Sequence, residues 1–219
     1  MRHKLQIPIV SAHVLLLTTA FQCGKEPEPD PTHAFQEPVR LFPAQKRYRV
    51  GDTIWVAYQS PGRALVDRRT GQPVALDSVA LPFAFGYNSR HGAPVSPAGG
   101  FCDFVAPTGG GLAVNPGPFG AGALLDFGCG GAGYGFRVGV VPKLRGVYSL
   151  DLSPVPRPIS ACPGRRTRFP LSVIEYRFAV ADGNKDVYLA IPANQRVESP
   201  NGYTERQIDN KAVFVFQIE

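Results

Sequence analysis

The feature that most constrains this chain is alternation. Apolar and polar residues exchange places every second position in several stretches, and no stretch sustains the 3.6-residue period of a helix. In Thr53-Ile54-Trp55-Val56-Ala57-Tyr58, the side chains of Ile54, Val56 and Tyr58 fall on one side and those of Thr53, Trp55 and Ala57 on the other. The same pattern recurs in Tyr134 to Val141, in Val147 to Leu152 and in Lys211 to Ile218, where Phe214, Phe216 and Ile218 share a face. A strand with one apolar face has to bury it against a second layer. With 24 Gly and 22 Pro to punctuate 219 residues, the expected fold is all-β: an antiparallel β-sandwich, immunoglobulin-like or related, with long Gly/Pro-rich loops.

Hairpins are expected at Ala64 to Leu76, between Val138 and Tyr148 across Pro142 to Gly146, and between Ser172–Ala181 and Asp186–Ile191 across Asp182-Gly183-Asn184-Lys185. Val79 to Phe85 reads as a strand, and Pro192 to Gly202 as loop with a helical turn. Residues 86–133 hold most of the glycine runs. They read as long loops threaded between short strands at Phe101–Val105 and Ala123–Phe127, and as the natural home of a ligand site. Trp55 is the single tryptophan. Inside a β run it reads as core, with a sugar-stacking platform as the other reading.

The N-terminus carries an address. Arg2, His3 and Lys4 precede an apolar run from Leu5 to Phe21, densest at Leu15, Leu16 and Leu17. The run is interrupted by Gln6, Pro8, Ser11 and His13 and falls short of the roughly 20 apolar residues of a spanning helix, which fits a cleaved export signal. Thr18 and Ala20 offer a small-x-small cleavage site that would release a soluble protein. Cys23 offers the alternative. The stretch up to Cys23 resembles bacterial lipoprotein signals, and the following Gly24-Lys25-Glu26-Pro27-Glu28 is similar to the acidic export stretch of Bacteroidota-type lipoproteins. The segments Tyr48-x-Val50-Gly51-Asp52-Thr53-Ile54-Trp55 and Phe136-Arg137-Val138-Gly139 through Tyr148 and Leu150 also resemble uncharacterised lipoproteins of that kind, which carry β-rich exported domains.

The resemblance implies a diacylglycerol on the Cys23 thiol and a lipid bilayer as the first partner. At about 0.8 kcal/mol per buried methylene, two or three acyl chains hold stably where one holds marginally. It further implies an outer-membrane or cell-surface location, with a periplasmic or secreted form as the alternative. The domain plan is then residues 1–22 as signal, 23–38 as a Pro/Glu-rich tether and 39–219 as a single β-sandwich. Pro27, Pro29, Pro31 and Pro38 extend such a tether at about 3.1 Å per residue.

Other signals are weaker. Loss of residues 1–22 removes Arg2 and Lys4 and lowers the formal charge from +6 to +4, a mild balance in which basic runs such as Lys46-Arg47 and Arg165-Arg166 read as solvated faces. No nucleic-acid partner is expected, and a glycan or protein is the expected ligand class. Beyond Cys23, the cysteines Cys102, Cys129 and Cys162 are odd in number, so export predicts one disulfide and one thiol. Three pairings are open; pinning the loose glycine-rich segment favours Cys102–Cys129. No two cysteines have the spacing of a zinc site, and His91 reads as an exposed loop residue, so no metal and no cofactor is expected.

Gly128-Cys129-Gly130-Gly131-Ala132-Gly133 matches G-x-G-x-x-G, but the strand-like Tyr134-Gly135-Phe136-Arg137-Val138 follows where a nucleotide site needs a helix. Asp182 to Asp186 imitates half of a calcium loop but lacks its later ligands. G-x-S-x-G and H-E-x-x-H are absent. The expectation is therefore a non-enzymatic binding or structural module of the cell envelope. The alternative is a polymer-acting hydrolase with a carboxylate pair, which only a fold could bring together.

Overall fold

The computed structural model describes residues 32–91, 100–108, 110–117, 120–153, 159–165, 172–198 and 204–219. Cys23 and the expected signal lie outside them, and the structure describes only one part of the expected tether, residues 32–38. Fourteen strands lie among the described residues: β1 His33–Phe42, β2 Arg47–Tyr48, β3 Ile54–Gln59, β4 Ala64–Val66, β5 Pro73–Ala75, β6 Val79–His91, β7 Cys102–Thr108, β8 Gly110–Gly117, β9 Gly120–Phe127, β10 Gly135–Pro142, β11 Gly146–Ser153, β12 Ser160–Ala161, β13 Ser172–Phe178 and β14 Val213–Ile218. Two short helices, α1 Lys185–Leu189 and α2 Thr204–Asp209, and a 3-10 turn at Ala193–Gln195 complete them. None of the helices is long and apolar enough to cross a membrane.

The strands form two large sheets packed as a sandwich. One runs β13-β1-β3-β10-β7; the other runs β2-β14-β11-β6-β9-β8, with β12 also paired to β6, while β4 and β5 form a small ribbon. The all-β class holds, but the sheets are mixed rather than strictly antiparallel. β1 pairs with β13 in parallel, and β14 with β2 in parallel. The expected alternation supplies the core. Ile54, Val56 and Tyr58 face inward with Phe136, Val138 and Val140, against Phe83, Phe85, Leu125, Leu150 and Phe216 of the other sheet. Fully burying such side chains contributes roughly 1.5–3 kcal/mol each.

Several boundaries move. β1 begins at His33, inside the stretch expected to be tether. Glu37 and Pro38 gave that stretch its polar, Pro-rich look. Yet Phe35, Val39 and Leu41 alternate and are buried, and Pro38 is tolerated because pairing with β3 begins only at Arg40. The expected hairpin across Pro142 to Gly146 is instead a crossing between layers, since β10 lies in one sheet and β11 in the other.

Much of the glycine-rich tract that the structure describes is strand, in the end of β6 and in β7, β8 and β9, while Gly128 to Gly133 is a bend. Ala121 and Ala123 of β9 stand beside Tyr87 and Phe85 of β6, and a Cβ on Gly120 would come within 2.1 Å of the Tyr87 carbonyl oxygen. Rings on one strand are accommodated by small residues on its neighbour. The expected second strand at Asp186–Ile191 is mostly α1, which packs with α2 on the outer side of β14. There Tyr188, Ile191 and Ile208 meet Val213 and Val215 in a second small core. That cover explains why β14 is apolar on both faces.

Candidate functional site

The cysteines resolve first. Cys129 and Cys162 are joined, and Cys102 is a buried thiol. One bond and one thiol were expected; the favoured pairing Cys102–Cys129 is overturned. β9 and β12 flank β6 on opposite sides near its start, and the Cys162 amide donates to the Ser78 carbonyl at 2.8 Å, so the bond ties together the two neighbours of one strand end. Cys102 stands at the head of β7 in the other sheet. Burial pushes its thiol up to about 12, which leaves it unreactive at neutral pH. With Cys129 and Cys162 in a disulfide, the thiolates of the zinc reading are gone. His91 is the last residue of β6 and half-buried, not a loop residue.

The G-x-G-x-x-G tract also has a structural account. Gly128 adopts φ +98°, and a Cβ there would sit 2.2 Å from the Tyr134 ring. The Arg63 guanidinium lies over that ring at 5.2 Å and donates to the carbonyls of Gly128 at 2.6 Å and Gly131 at 3.1 Å. The half calcium loop is a lead into α1. Asp182 accepts from the Asn184 amide at 2.7 Å, and Asp186 takes the Lys46 ammonium at 2.6 Å.

One surface lies on the outer face of the first sheet, where Trp55 points away from the core. It is half-buried and was wrongly expected to be interior. Register builds two rows there. In one, Phe42 of β1, Trp55 of β3, Gly139 of β10 and Val105 of β7 stand side by side. In the other, Arg40 of β1 and Arg137 of β10 both pair with Ala57 of β3. The Phe42 and Trp55 rings stack at 6.4 Å with 19° between planes. Gly139 is what lets the indole lie down: a Cβ there would be 3.1 Å from a Trp55 ring carbon and 2.8 Å from the Thr53 methyl. The Arg137 guanidinium covers both rings, 3.9 Å from the Trp55 centroid and 4.9 Å from that of Phe42.

Beside these rows is a cleft of about 620 Å³, within the range of small-ligand sites. It is lined by Arg40, Phe42, Ala57, Gln59, Gly135 and Arg137 among others, with Ala57 and Gly135 contributing little side chain. Among the described residues no carboxylate lines it. Its Tyr58 hydroxyl points inward and donates to Glu37 at 2.9 Å, and burial raises the Glu37 carboxyl above its ordinary value. Two other grooves carry one carboxylate each, Asp186 in one and Asp77 in the other.

Sequence reasoning missed Arg40, Phe42, Ala57 and Arg137, and placed the ligand site in residues 86–133, outside most of this cleft. The available signal was phase: Trp55 shares its face with Thr53, Ala57 and Gln59, and Arg137 with Gly135 and Gly139, the small and polar side of both strands. No family model matches this chain, and neither the curated proteins nor the solved structures give a significant match.

Proposed function

We propose that this protein is an exported lipoprotein, acylated at Cys23 and moored to the outer membrane or cell surface, whose β-sandwich is a non-catalytic binding module. The N-terminal basic, apolar and cysteine pattern supports the anchor. The observation that carries the binding reading is the cleft on the first sheet. It brings guanidinium, aromatic and amide groups together without an acid, the composition of a recognition surface rather than of general acid–base chemistry. Among the described residues, none of the three grooves is lined by the carboxylate pair that a hydrolase would need.

Two measurements test this. Cells fed a labelled fatty acid should label the wild-type chain and not Cys23→Ala; equal absence of label in both removes the anchor. The purified chain, incubated with a panel of extracellular polysaccharides and proteins, should be retained by one without releasing product. New reducing ends or peptide fragments would replace the binding module with an enzyme.

A further inference from the structure

Arg40 and Arg137 both line the cleft from strands on either side of β3. Arg137 is held by two aromatic faces, which fix the plane of the guanidinium without using its N–H groups. Among the described residues, neither Arg137 nor Arg40 forms an ion pair. Both are exposed, and both flank Ala57 from adjacent strands, so their backbones stand roughly 10 Å apart, two strand spacings, across a floor of one methyl group. Two cations flanking Ala57, with no acid among the described lining residues, leave local positive charge that an anion would neutralise.

We infer that this cleft binds an anionic glycan, with a carboxylate or sulfate group seated between Arg40 and Arg137 over Ala57. The inference rests on the binding-module reading and names its ligand class. A planar fork of donors matches the oxygens of a carboxylate or sulfate in bidentate fashion. The exposed edge of Phe42, 37% accessible, and the bare backbone of Gly135 beside the arginines suit the face of a sugar ring. A peptide is disfavoured by topology. β3 and β10 are interior strands, each paired on both sides, so the cleft offers no strand edge to an extended chain.

The test is calorimetric titration of the full-length, detergent-solubilised chain with four probes: an oligogalacturonate, a heparin-derived oligosaccharide, a neutral maltohexaose and poly-L-glutamate. Binding of the first or second is expected, weakened about tenfold or more in Arg137→Gln and in Arg40→Gln, the loss of one charged hydrogen-bonding partner. Arg177→Gln, whose native side chain on the same face pairs with Glu175 at 3.0 Å, should bind as wild type. Oligogalacturonate alone assigns carboxylate and heparin alone assigns sulfate; either sustains the inference. Poly-L-glutamate binding as tightly, or Arg177→Gln losing as much as Arg137→Gln, overturns it in favour of unspecific charge. Retention of maltohexaose without the acidic glycans overturns the ligand class while leaving the binding module intact. Binding of none overturns the ligand class too, and the polymer panel then decides whether the module itself survives.

Discussion

Two arginines on opposite sheets show what burial does to one side chain. Arg90 lies on β6 where the register against β11 slips between Val147 and Tyr148, a bulge that turns it toward Ser149 and Asp151. It is 1% exposed, and its donors are engaged: Nε to Ser149 Oγ at 2.8 Å, one terminal nitrogen to the Val197 carbonyl at 3.2 Å, the other to Asp151. Asn88 adds a donor to the same Asp151 oxygen at 3.1 Å. Arg137 sits in the open on two rings, with no carboxylate. A buried guanidinium has to be satisfied by the protein itself, so Arg90 locks strand, bulge and covering segment together. An exposed one stacked on aromatics keeps its donors for something else. The contrast separates an arginine whose donors are spent on the fold from one stacked on exposed rings without an ion pair among the described residues.

Breaking the buried member should have the largest effect. Arg90→Met leaves Asp151 buried without its cation and should cost about 3–5 kcal/mol in urea unfolding. Pairing it with Asp151→Leu should recover much of that loss, because the stranded charge is then gone. If Arg90→Met is as stable as wild type, the buried network does not hold β6 to β11.

Next in size is the disulfide, a second lock at the other end of β6. Its residues lie 33 positions apart, and Cys129→Ser with Cys162→Ser should cost about 3–4 kcal/mol in the chain-entropy account. In the wild-type folded chain the Cys102 thiol should stay silent to a thiol reagent until denaturant is added. Prompt reaction of Cys102 would contradict its burial.

Arg137→Gln should be the mild counterpart. An exposed cation–π contact is worth about 0.5–1 kcal/mol, so stability should fall by no more than that. Trp55 is the only tryptophan, which makes fluorescence a direct reporter. Acrylamide should quench it more readily in Arg137→Gln, where the ring loses its cover. Unchanged quenching would mean that the guanidinium does not rest on the indole.

The smallest effect concerns Glu37, half-buried with one hydrogen bond from Tyr58 and no cation among the described residues. Its carboxyl is raised by burial, so the folded state holds the proton more tightly than the unfolded one. Stability should then fall as pH rises through the window above the ordinary glutamate value. Glu37→Gln should melt slightly higher than wild type at pH 7, and the gap should close below about pH 4. A gap that widens on acidification would reverse the sign.

How much of this the sequence revealed follows from what alternation can encode. Period two sorted Ile54, Val56 and Tyr58 onto one face and Trp55 onto the other, but the reading of Trp55 as core pointed to the wrong face as the buried one. The same sorting does not say which strands pair. That is why β10 and β11 were read as a hairpin although they belong to different sheets, and why the parallel partners β1 and β13 were not foreseen. Composition misled twice. Glu37 and Pro38 made the start of β1 look like linker, and the glycines of β9 made a strand look like loop, although Gly120 is there for the close approach of the Tyr87 carbonyl. Asp186 to Leu189 was read as strand, although this stretch is too short to show a period and its helix is fixed by packing on β14. The site was hardest. Arg40, Ala57 and Arg137 come from three separate segments, and only register puts them in a row.

The cleft itself can be observed residue by residue. In a nitrogen-15 labelled full-length chain titrated with oligogalacturonate or the heparin-derived oligosaccharide, backbone amide shifts should move at Arg40, Ala57, Gln59 and Arg137. Those of Arg90, Ser149 and Asp151 should stay in place. Shifts confined to the other sheet, or spread evenly over every basic residue, would contradict the assignment of the ligand surface to the outer face of the first sheet.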